Sequence, residues 1–419
     1  MNRASRLGEL FMPVSQPLTP PAICRVVLKP RRALPFFGRH PWVFSGAIGQ
    51  IDGGPQPGAV VAVVTHQEEF IAWGLYNPHS KIQVRLYSWN QAELLDEAFW
   101  SSRLDEAIHL RRDLLNLCGP NSACRLVFSE ADRLSGLIVD RYGDWLLVQF
   151  TSLALAARRE LLLDLLREKL QPAGIWLRTE KGIREAEGLT LADGALFGGD
   201  PPRPILIEEH GLSYEVDVVE GQKTGFFLDQ RDNRAAFVGY LPAGGRLLDL
   251  CCYTGGFSLN ALRHGGVGEV LAVDVSASAL ARAEANAARN GLSGRIEFEK
   301  ADVFKALEAL NAAGRRFDAV VLDPPKLARH AQGAAEALRA YHSLNRLALG
   351  VLEPGGVLIT CSCSGHVSRE MFAGMLAEAA VSSGRSLQVL ESRGAAPDHP
   401  VSVLCPETAY LKCCIGRAV

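Results

Sequence analysis

Apolar and polar residues alternate in short runs through the first fifth of the chain. Between residues 24 and 90, turn clusters such as DGGP (52–55) and YNPHS (76–80) separate these runs. The runs cover 25–29, 59–65, 70–75 and 81–87. A period of two indicates strands with one buried face. So many short strands in so little chain predict a small β-barrel or sandwich.

The next hundred residues mix helical and alternating patterns. Apolar residues recur at helical spacing over 91–117, and 154–169 is rich in strong helix formers. Shorter runs typical of strands lie at 125–128, 136–140, 145–150 and 175–179. This part is therefore expected to form a small α/β domain, and the proline-rich DPPRP loop (200–204) marks its end.

Strands and helices alternate regularly through the remainder. A hairpin of 212–219 with 224–228 and a helix over 232–240 are predicted to come first. Strands at 246–250, 269–273, 295–299, 317–322 and 356–361 then alternate with helices at 257–264, 277–290, 303–310 and 331–350. This alternation predicts an α/β fold with a doubly wound, Rossmann-like parallel sheet, followed by one more helix and two terminal strands.

These patterns divide the chain of 419 residues into four parts. We predict a disordered tail (1–22), a β-rich domain (23–92), a central α/β domain (93–203) and a C-terminal α/β domain (204–419). The tail lacks the apolar core of a signal peptide, and no apolar run reaches the roughly 18 residues of a membrane span. The ten cysteines show no C-x-x-C or zinc-like spacing, which predicts thiols in a reducing cytoplasm and no metal site.

Charge is distributed unevenly between these parts. The net charge is −2, yet residues 1–90 carry nine Lys/Arg and four Asp/Glu and are therefore +5, which leaves −7 for the rest. The segment KPRRALPFFGRHPWVF (29–44) combines cations with aromatic residues, a mixture that binds phosphates and stacks bases. We expect its cations to contact RNA, and we expect Phe36, Trp42 and Phe44 to be core residues. A basic module joined to an acidic body is typical of a nucleic-acid reader attached to a catalytic domain.

A glycine turn follows the first strand of the predicted sheet. The stretch RLLDLCCYTGG (246–256) is a buried strand that ends in two glycines and opens a helix. Glycine lets the backbone turn tightly and approach a ligand, and ligands of open α/β sheets bind at the carboxyl ends of the strands. Five successive strands end in residues able to do chemistry: Asp249, Asp274, Asp302, Asp323 and Cys363. Such a series predicts a nucleoside-type cofactor site rather than five unrelated helix caps.

The positions of these acids assign them provisional roles. Asp274 follows the glycine strand at the distance where an acid can accept both ribose hydroxyls, and Asp302 could accept from an adenine amino group. The arrangement resembles the class I S-adenosylmethionine-dependent methyltransferases. A nicotinamide dehydrogenase is the rival interpretation, but the turn lacks G-x-G-x-x-G.

Two motifs near the end of the sheet indicate the reaction. The prolines of DPPK (323–326) stiffen the loop after Asp323, but Lys326 stands where amino-directed methyltransferases have an aromatic residue. The TCSCS motif (360–364) resembles RNA cytosine-5 methyltransferases, in which a thiolate adds to carbon 6 of an unstacked cytosine. Counting from the Gly355-Gly356 pair places the nucleophile at Cys363 rather than Cys361. Many related enzymes also have a cysteine after the motif proline, where this chain has Lys326.

Six segments resemble one bacterial family in particular. They are EEHG (208–211), GQKTGFFLDQRDNR (221–234), DLCCYTGGFS (249–258), DPPK (323–326), CSCSG (361–365) and DHP (398–400). They are similar to the 23S ribosomal RNA large subunit methyltransferase I family. The resemblance implies an N-terminal PUA domain, a central α/β domain and a C-terminal methyltransferase domain. It also implies S-adenosyl-L-methionine as cofactor and 23S rRNA or a large-subunit precursor as partner, in the cytoplasm, and a homodimer stays open.

The expected site can now be stated by residue. Catalysis is expected from Cys363 and Asp323, and RNA contacts from Lys29, Arg31, Arg32, Arg39 and Lys326. The resemblance alone implies that Phe227, Gln230 and Arg234 close over the cofactor. The complete cofactor set is Phe227, Gln230, Arg234, Asp249, Cys251, Tyr253, Gly255, Phe257, Asp274, Ser276, Asp302, Val303 and Asp323. Two alternatives stay open: methylation of another base atom, such as guanine N7 or an exocyclic amine, and a non-catalytic RNA-binding assembly factor.

Overall fold

The computed structural model describes residues 24–221, 225–328 and 333–419. The predicted tail (1–22), the start of the strand predicted at 224–228 and the start of the helix predicted at 331–350 lie outside these residues. None of the helices in the described ranges combines the length and apolar character that crossing a lipid bilayer would require.

Six strands form the first sheet, in the order β2-β6-β5-β4-β1-β3. The elements are β1 (Arg25–Leu28), α1 (Leu34–Phe37), β2 (Trp42–Phe44), β3 (Ile48–Asp52), β4 (Val60–Val64), β5 (Phe70–Tyr76) and β6 (Ile82–Ser88). Alternate residues such as Val26, Val63 and Val84 are fully buried and form one core. The β-rich character of this part is therefore confirmed.

Five strands in the order β11-β10-β9-β8-β7 form the second sheet. The elements are α2 (Glu97–His109), β7 (Ala123–Phe128), β8 (Leu137–Tyr142), β9 (Trp145–Phe150), α3 (Leu153–Ala156), α4 (Arg159–Leu170), β10 (Gly174–Leu177), α5 (Lys181–Glu187) and β11 (Gly194–Phe197). The helix predicted from 91 begins later, at Glu97, because the Asp96 side chain caps it by accepting from the Phe99 backbone N–H at 3.0 Å.

A two-stranded hairpin precedes the third sheet, and here the sequence prediction was wrong. Strand β12 (Ile205–Glu209) pairs with β13 (Leu212–Val216), whereas 225–228 forms no strand. The alternation of buried and exposed residues along β12 is the signal that was missed. Phe226 and Leu228 are buried in an irregular segment, so their apolar run resembles that of a strand.

The third sheet has seven strands in the order β16-β15-β14-β17-β18-β20-β19. Its elements are α6 (Arg231–Phe237), β14 (Arg246–Leu250), α7 (Gly256–His264), β15 (Glu269–Asp274), α8 (Ala277–Arg289), β16 (Ile296–Lys300), α9 (Val303–Ala312), β17 (Phe317–Leu322), α10 (Ala334–Gly350), β18 (Leu352–Ser362), α11 (Arg369–Ser382), β19 (Leu387–Arg393) and β20 (Lys412–Ala418). Strands β14 to β18 are parallel, and β20 is antiparallel to β18 and β19. The predicted doubly wound α/β sheet is confirmed.

A buried ionic contact fastens the second sheet to the third. The fully buried Asp398 carboxylate accepts from the Arg125 backbone N–H at 3.0 Å and pairs with Arg231 at 3.2 Å. Burial raises the pKa of Asp398, but His399 and Arg231 outweigh it and hold that pKa well below its usual value. Arg231 also donates to the Ala123 carbonyl at 2.6 Å. Because buried contacts run across the sheets, the boundaries between the four predicted parts stay predictions.

Candidate active site

The loop between β14 and α7 contains an unusual backbone. Cys251 and Tyr253 adopt positive φ angles of 61° and 50°, and Gly255 adopts 81°. Positive φ is uncommon for residues other than glycine and is concentrated at functional sites. Gly256 serves a different purpose, because a Cβ there would lie 3.0 Å from Cδ of Arg234. Of the expected glycine pair, Gly255 therefore makes the turn, and Gly256 leaves room for the Arg234 side chain.

Three carboxylates surround this loop: Asp249, Asp274 and Asp323. Asp249 is fully buried and accepts from the backbone N–H of Ser258 at 3.1 Å and from its hydroxyl at 2.6 Å. Burial raises the pKa of Asp249 to about 7, opposed by the Ser258 hydrogen bonds and assisted by the charges of Asp323 and Asp274. The three acids therefore create a negative potential that would favour a cationic ligand.

Asp274 organises the turn from the neighbouring strand. Its carboxylate accepts from the Tyr253 backbone N–H at 2.9 Å and from the Ser276 backbone N–H at 2.8 Å. Two accepted bonds leave further lone pairs on a carboxylate, so Asp274 can still bind ligand hydroxyls. The acid that was predicted to read the ribose thus also shapes the loop beside it.

Three further residues of the expected cofactor set, Ser276, Asp302 and Val303, lie at the starts of helices. Ser276 caps α8 by accepting from the Ala279 backbone N–H at 3.2 Å. Asp302 caps α9, which Val303 begins, by accepting from the Lys305 backbone N–H at 3.2 Å. Asp302 is exposed, so its cap role is compatible with a contact to an adenine amino group, which stays a prediction.

The segment that the resemblance places over the cofactor lies against this loop. The rings of Phe227 and Tyr253 meet edge to face with centroids 5.1 Å apart, and the Tyr253 hydroxyl donates to the Gly225 carbonyl at 3.0 Å. Gln230 is buried and donates from Nε2 to the Asp323 carboxylate at 2.9 Å. These contacts bring the predicted lid residue Phe227 and the predicted catalytic acid Asp323 to the same side of the sheet.

Arg234 and Phe257 are buried away from solvent, so their predicted cofactor contacts stay predictions. Arg234 donates to both carboxylate oxygens of Glu209 at 2.7 and 2.8 Å and to the Phe227 carbonyl at 3.1 Å. Arg234 therefore links Glu209 of β12 to the Phe227 carbonyl and holds the 227–234 segment in place. The Phe257 ring packs in the core against Phe237, with centroids 6.1 Å apart. Glu209 was missed as a site residue, although it stands in the EEHG motif.

The two cysteines of the TCSCS motif lie in different environments. Cys361 is fully buried within β18, opposite Cys413 of β20. Its hydrogen bond with Cys413 and its burial raise the pKa of the Cys361 thiol well above the ordinary value. Cys363 follows the strand and is half-buried. A substrate can therefore reach Cys363 more readily than Cys361.

Ser364 joins the Cys363 loop to the loop that follows Asp323. Its hydroxyl oxygen accepts from the Ala328 backbone N–H at 3.2 Å and lies 3.1 Å from the Tyr341 hydroxyl. Lys326, on the same loop as Ala328, is exposed. The thiol and the carboxylate predicted to be catalytic thus sit on two loops that are tied together.

The cations predicted to contact RNA lie on the surface of the first sheet. Lys29, Arg31, Arg32 and Arg39 are all exposed. Leu34, Phe37 and Phe44 are 80%, 48% and 47% exposed beside them in sequence. Phe36 is buried as expected, but the expectation that Phe44 is a core residue was wrong. Together the four cations and these three exposed apolar residues form what we call the basic apolar patch.

One cluster has the residue types of a metal site, although none was predicted. His40, Cys405 and Glu407 lie with their ligating atoms within 4.8 Å of one another. The Glu407 carboxylate contacts His40 Nε2 at 3.3 Å and accepts from the Cys405 thiol at 3.4 Å. His40 Nδ1 in turn accepts from the Trp42 backbone N–H at 3.3 Å, which leaves the ring proton on Nε2. Hydrogen bonds therefore account for this cluster.

Comparison with known proteins identifies the family. Residues 26–89 match a PUA-like domain, and residues 191–413 match an S-adenosylmethionine-dependent methyltransferase. The chain is 41% identical over 396 residues to Ribosomal RNA large subunit methyltransferase I of Tolumonas auensis, with 94% of this chain and 99% of that protein covered.

Two solved structures share the fold. SMU.776, assigned as a methyltransferase and complexed with SAH, has a TM-score of 0.81 and 21% identity, covering 94% of this chain and 99% of that one. A protein from Streptococcus mutans assigned as a SAM-dependent methyltransferase has a TM-score of 0.80 and 21% identity, with the same coverage. The expected cofactor, S-adenosylmethionine, is therefore confirmed. The chain belongs to the ribosomal RNA large subunit methyltransferase I family, as the sequence motifs predict.

Proposed function

We propose that this chain methylates carbon 5 of a cytosine in the 23S rRNA of the large ribosomal subunit, with Cys363 as the nucleophile. The observation that carries the proposal is the contrast between the half-buried Cys363 and the fully buried Cys361 in one motif, on the same edge of the sheet as Asp323. The RNA substrate follows from the names of the relatives and from the PUA-like match.

The residues at the strand ends fit S-adenosylmethionine. Asp274 offers carboxylate oxygens to ribose hydroxyls, and the negative potential of Asp249, Asp274 and Asp323 suits a cationic sulfur. The Thr254 hydroxyl, in the same loop, is buried and has no hydrogen-bond partner within the described part of the chain. When bound, the cofactor supplies an electrophilic methyl group.

The protein must make carbon 5 of cytosine nucleophilic. The Cys363 thiolate adds to carbon 6 and breaks the 5,6 double bond, so that carbon 5 becomes the nucleophilic end of an enamine. Carbon 5 then takes up the methyl group. Loss of the carbon 5 proton to a base restores the double bond and expels the thiolate. Asp323 hydrogen-bonds the ring while charge develops on it, and Gln230 orients that carboxylate.

The base has to leave its stack before the thiol can reach carbon 6. The basic apolar patch supplies phosphate contacts and exposed aromatic rings for holding the RNA, and Lys326 extends positive charge to the active-site loop. We place RNA binding on the patch and chemistry on the third sheet.

Substitution of Cys363 tests the chemistry. Cys363→Ala is expected to lower the methylation rate of large-subunit RNA by about 10³-fold or more, because the nucleophile is removed. The matched control is Cys361→Ala, which removes a thiol buried two residues away and should retain most activity. Near wild-type methylation by Cys363→Ala would refute the covalent mechanism and favour another base atom. SAH binding measured by calorimetry checks that each variant is folded.

Substitution in the patch tests RNA binding. Changing Lys29, Arg31, Arg32 and Arg39 to Gln should weaken RNA binding and reduce the slope of log affinity against log salt by about 0.7 to 0.9 for each phosphate that the protein no longer neutralises. Arg25→Gln is the control, because Arg25 is already paired with Asp52 at 3.2 Å. If the salt slope of the fourfold variant is unchanged, the basic apolar patch does not contact the RNA.

A further inference from the structure

A lysine that no sequence motif identified contacts the loop that carries Cys363. Lys412 begins β20, opposite Ser362 of β18, and is 3% exposed. Its ammonium group donates to the Ser364 carbonyl at 2.6 Å and to the Tyr410 carbonyl at 2.8 Å. Ser362 and Ser364 are the two chain neighbours of Cys363, so the backbone of Lys412 pairs with one neighbour and its ammonium group binds the other.

The charge of Lys412 has no carboxylate partner. Across residues 24–221, 225–328 and 333–419, no carboxylate oxygen lies within 4.0 Å of its nitrogen, and both of its acceptors are neutral. Buried lysines are rare unless an opposite charge compensates them. A thiolate at Cys363 would be the missing anion.

The other charged and titratable groups around this pair are mostly cationic or phenolic. Lys326 follows β17 and Arg369 begins α11, and neither forms an ion pair with a carboxylate of the described residues. Tyr341 of α10 and Tyr410 before β20 also face Cys363.

Two acids lie near these groups, and each accepts a hydrogen bond from a neighbour. Asp229 accepts from the Tyr410 hydroxyl, and Asp323 accepts from Gln230. Charges on Lys326 and Arg369 act on Lys412, and a charge on Cys363 acts on Tyr341 and Tyr410.

We propose that Lys412 is a positioning residue that holds Cys363 as a thiolate and fixes the loop on which it lies. This inference rests on the proposed role of Cys363 as nucleophile. The ammonium charge would raise the thiolate fraction before addition to carbon 6 and would stabilise the same thiolate when elimination expels it. One fixed charge thus serves both the first and the last step.

The electrostatics of the pair agree with this assignment. Burial lowers the pKa of Lys412 to about 8, while a charge on Cys363 acts in the opposite direction. The interaction is reciprocal. A thiolate at Cys363 raises the pKa of Lys412, and the ammonium group of Lys412 lowers the pKa of the Cys363 thiol by the same amount. The two hydrogen bonds to carbonyls favour the protonated lysine as well, because an ammonium N–H is a stronger donor than the N–H of a neutral amine.

The experiment measures the thiol pKa of Cys363 directly in the full-length protein. The rate of iodoacetamide alkylation at Cys363, read by peptide mass spectrometry, is followed against pH in wild type, Lys412→Gln and Lys412→Arg. Gln keeps donors for the two carbonyls but removes the charge, and Arg keeps the charge. We expect wild type to titrate below the ordinary thiol value of about 8.5. Lys412→Gln should shift the profile up by at least about one pH unit and slow alkylation at pH 7 about tenfold.

Controls separate this inference from the proposed function. Lys412→Arg should keep the low thiol pKa, and Lys169→Gln, which removes a lysine paired with Asp105 at 2.8 Å, should leave the Cys363 profile unchanged. An unchanged profile in folded Lys412→Gln overturns the inference. If that variant does not fold, a rise of a full unit in Lys412→Arg overturns it instead. Failure of the proposed function shows separately, as methylation that survives in Cys363→Ala.

Discussion

Cys251 and Cys363 lie on two loops at one edge of the third sheet, and their surroundings have opposite charge. Cys251 and Cys252 follow β14 among the carboxylates Asp249, Asp274 and Asp323. Burial and these acids raise the pKa values of both thiols far above the ordinary value. Cys363 follows β18, where Lys412, Lys326 and Arg369 supply positive charge, whereas Cys361 is buried within that strand.

In the proposed mechanism, local charge distinguishes Cys251 from Cys363, whereas burial and Cys413 keep Cys361 protonated. An acidic loop suppresses thiolate formation and attracts a cationic cofactor. A loop next to uncompensated cations stabilises a thiolate. Asp323 lies between them, since it influences thiols of both pairs. The proposed cofactor site after β14 and the proposed nucleophile after β18 can therefore share one edge of the sheet, with β17 between them.

The largest effect within the acidic loop is expected from Asp274→Asn. The amide has one acceptor oxygen where the carboxylate serves the backbone N–H groups of Tyr253 and Ser276, so the loop loses a charge-assisted hydrogen bond and the ligand loses an acceptor. Hydrogen bonds to charged groups contribute about 1.5–3 kcal/mol each, so SAH affinity should fall about 100-fold. Asp318→Asn, at the opposite end of the sheet beside Arg246, is the control for calorimetry. An affinity within threefold of wild type would contradict the role of Asp274.

A smaller effect should follow the titration of Asp249. Its pKa of about 7 means that the carboxylate gains its charge as pH rises from 6 to 8. Affinity for cationic S-adenosylmethionine relative to SAH should therefore increase over that range, by about fivefold at the distances of neighbouring strand ends. The ratio of the two dissociation constants should be flat with pH in Asp249→Asn. If the wild-type ratio is equally independent of pH, the charge of Asp249 does not contribute to the electrostatic potential at the cofactor.

Stability provides an independent check of the same group. Because the folded pKa of Asp249 lies above the ordinary value of about 4, the folded state binds the proton more tightly. Its contribution to the free energy of unfolding therefore falls as pH rises from about 4 to about 7. Relative to Asp249→Asn, wild type should lose thermal stability over that interval.

The smallest effect is expected from Cys251→Ala. Cys251 is held protonated by burial and by nearby acids, so no thiolate chemistry is removed. At saturating S-adenosylmethionine, where a weakened cofactor contact of Cys251 does not limit the rate, methylation should stay within about twofold of wild type. A loss as large as that of Cys363→Ala would erase the distinction between the two loops.

The sequence predicted the parallel sheet and the edge that carries the site, because both follow from one repeated pattern. Strand–helix alternation orders β14 to β18, and the acids of that edge follow directly from the strand ends. Counting from Gly355 also selects Cys363 over Cys361, and its role as nucleophile stays a prediction. These features are local in sequence, so periodicity and spacing suffice to find them.

Features that depend on distant packing could not be predicted in this way. Lys412 reaches the Ser364 carbonyl, next to Cys363, because β20 runs antiparallel beside β18 some fifty residues later. An isolated lysine in a terminal strand carries no signal in the sequence. Glu209 and Arg234 meet across the fold, and their pairing cannot be deduced from either position alone. The missed β12 and the misassigned 224–228 strand have the same origin, since burial of an apolar run does not specify pairing.

The most direct test of the central claim is to trap the covalent intermediate. RNA that contains 5-fluorocytidine lacks the carbon 5 proton whose loss expels the thiolate, so the bond between Cys363 Sγ and carbon 6 should persist after methyl transfer. We predict a protein–RNA adduct that needs S-adenosylmethionine, maps to the peptide with Cys363 and is absent in Cys363→Ala. Absence of an adduct from enzyme that methylates the unmodified RNA, or an adduct on a different cysteine, would contradict the account.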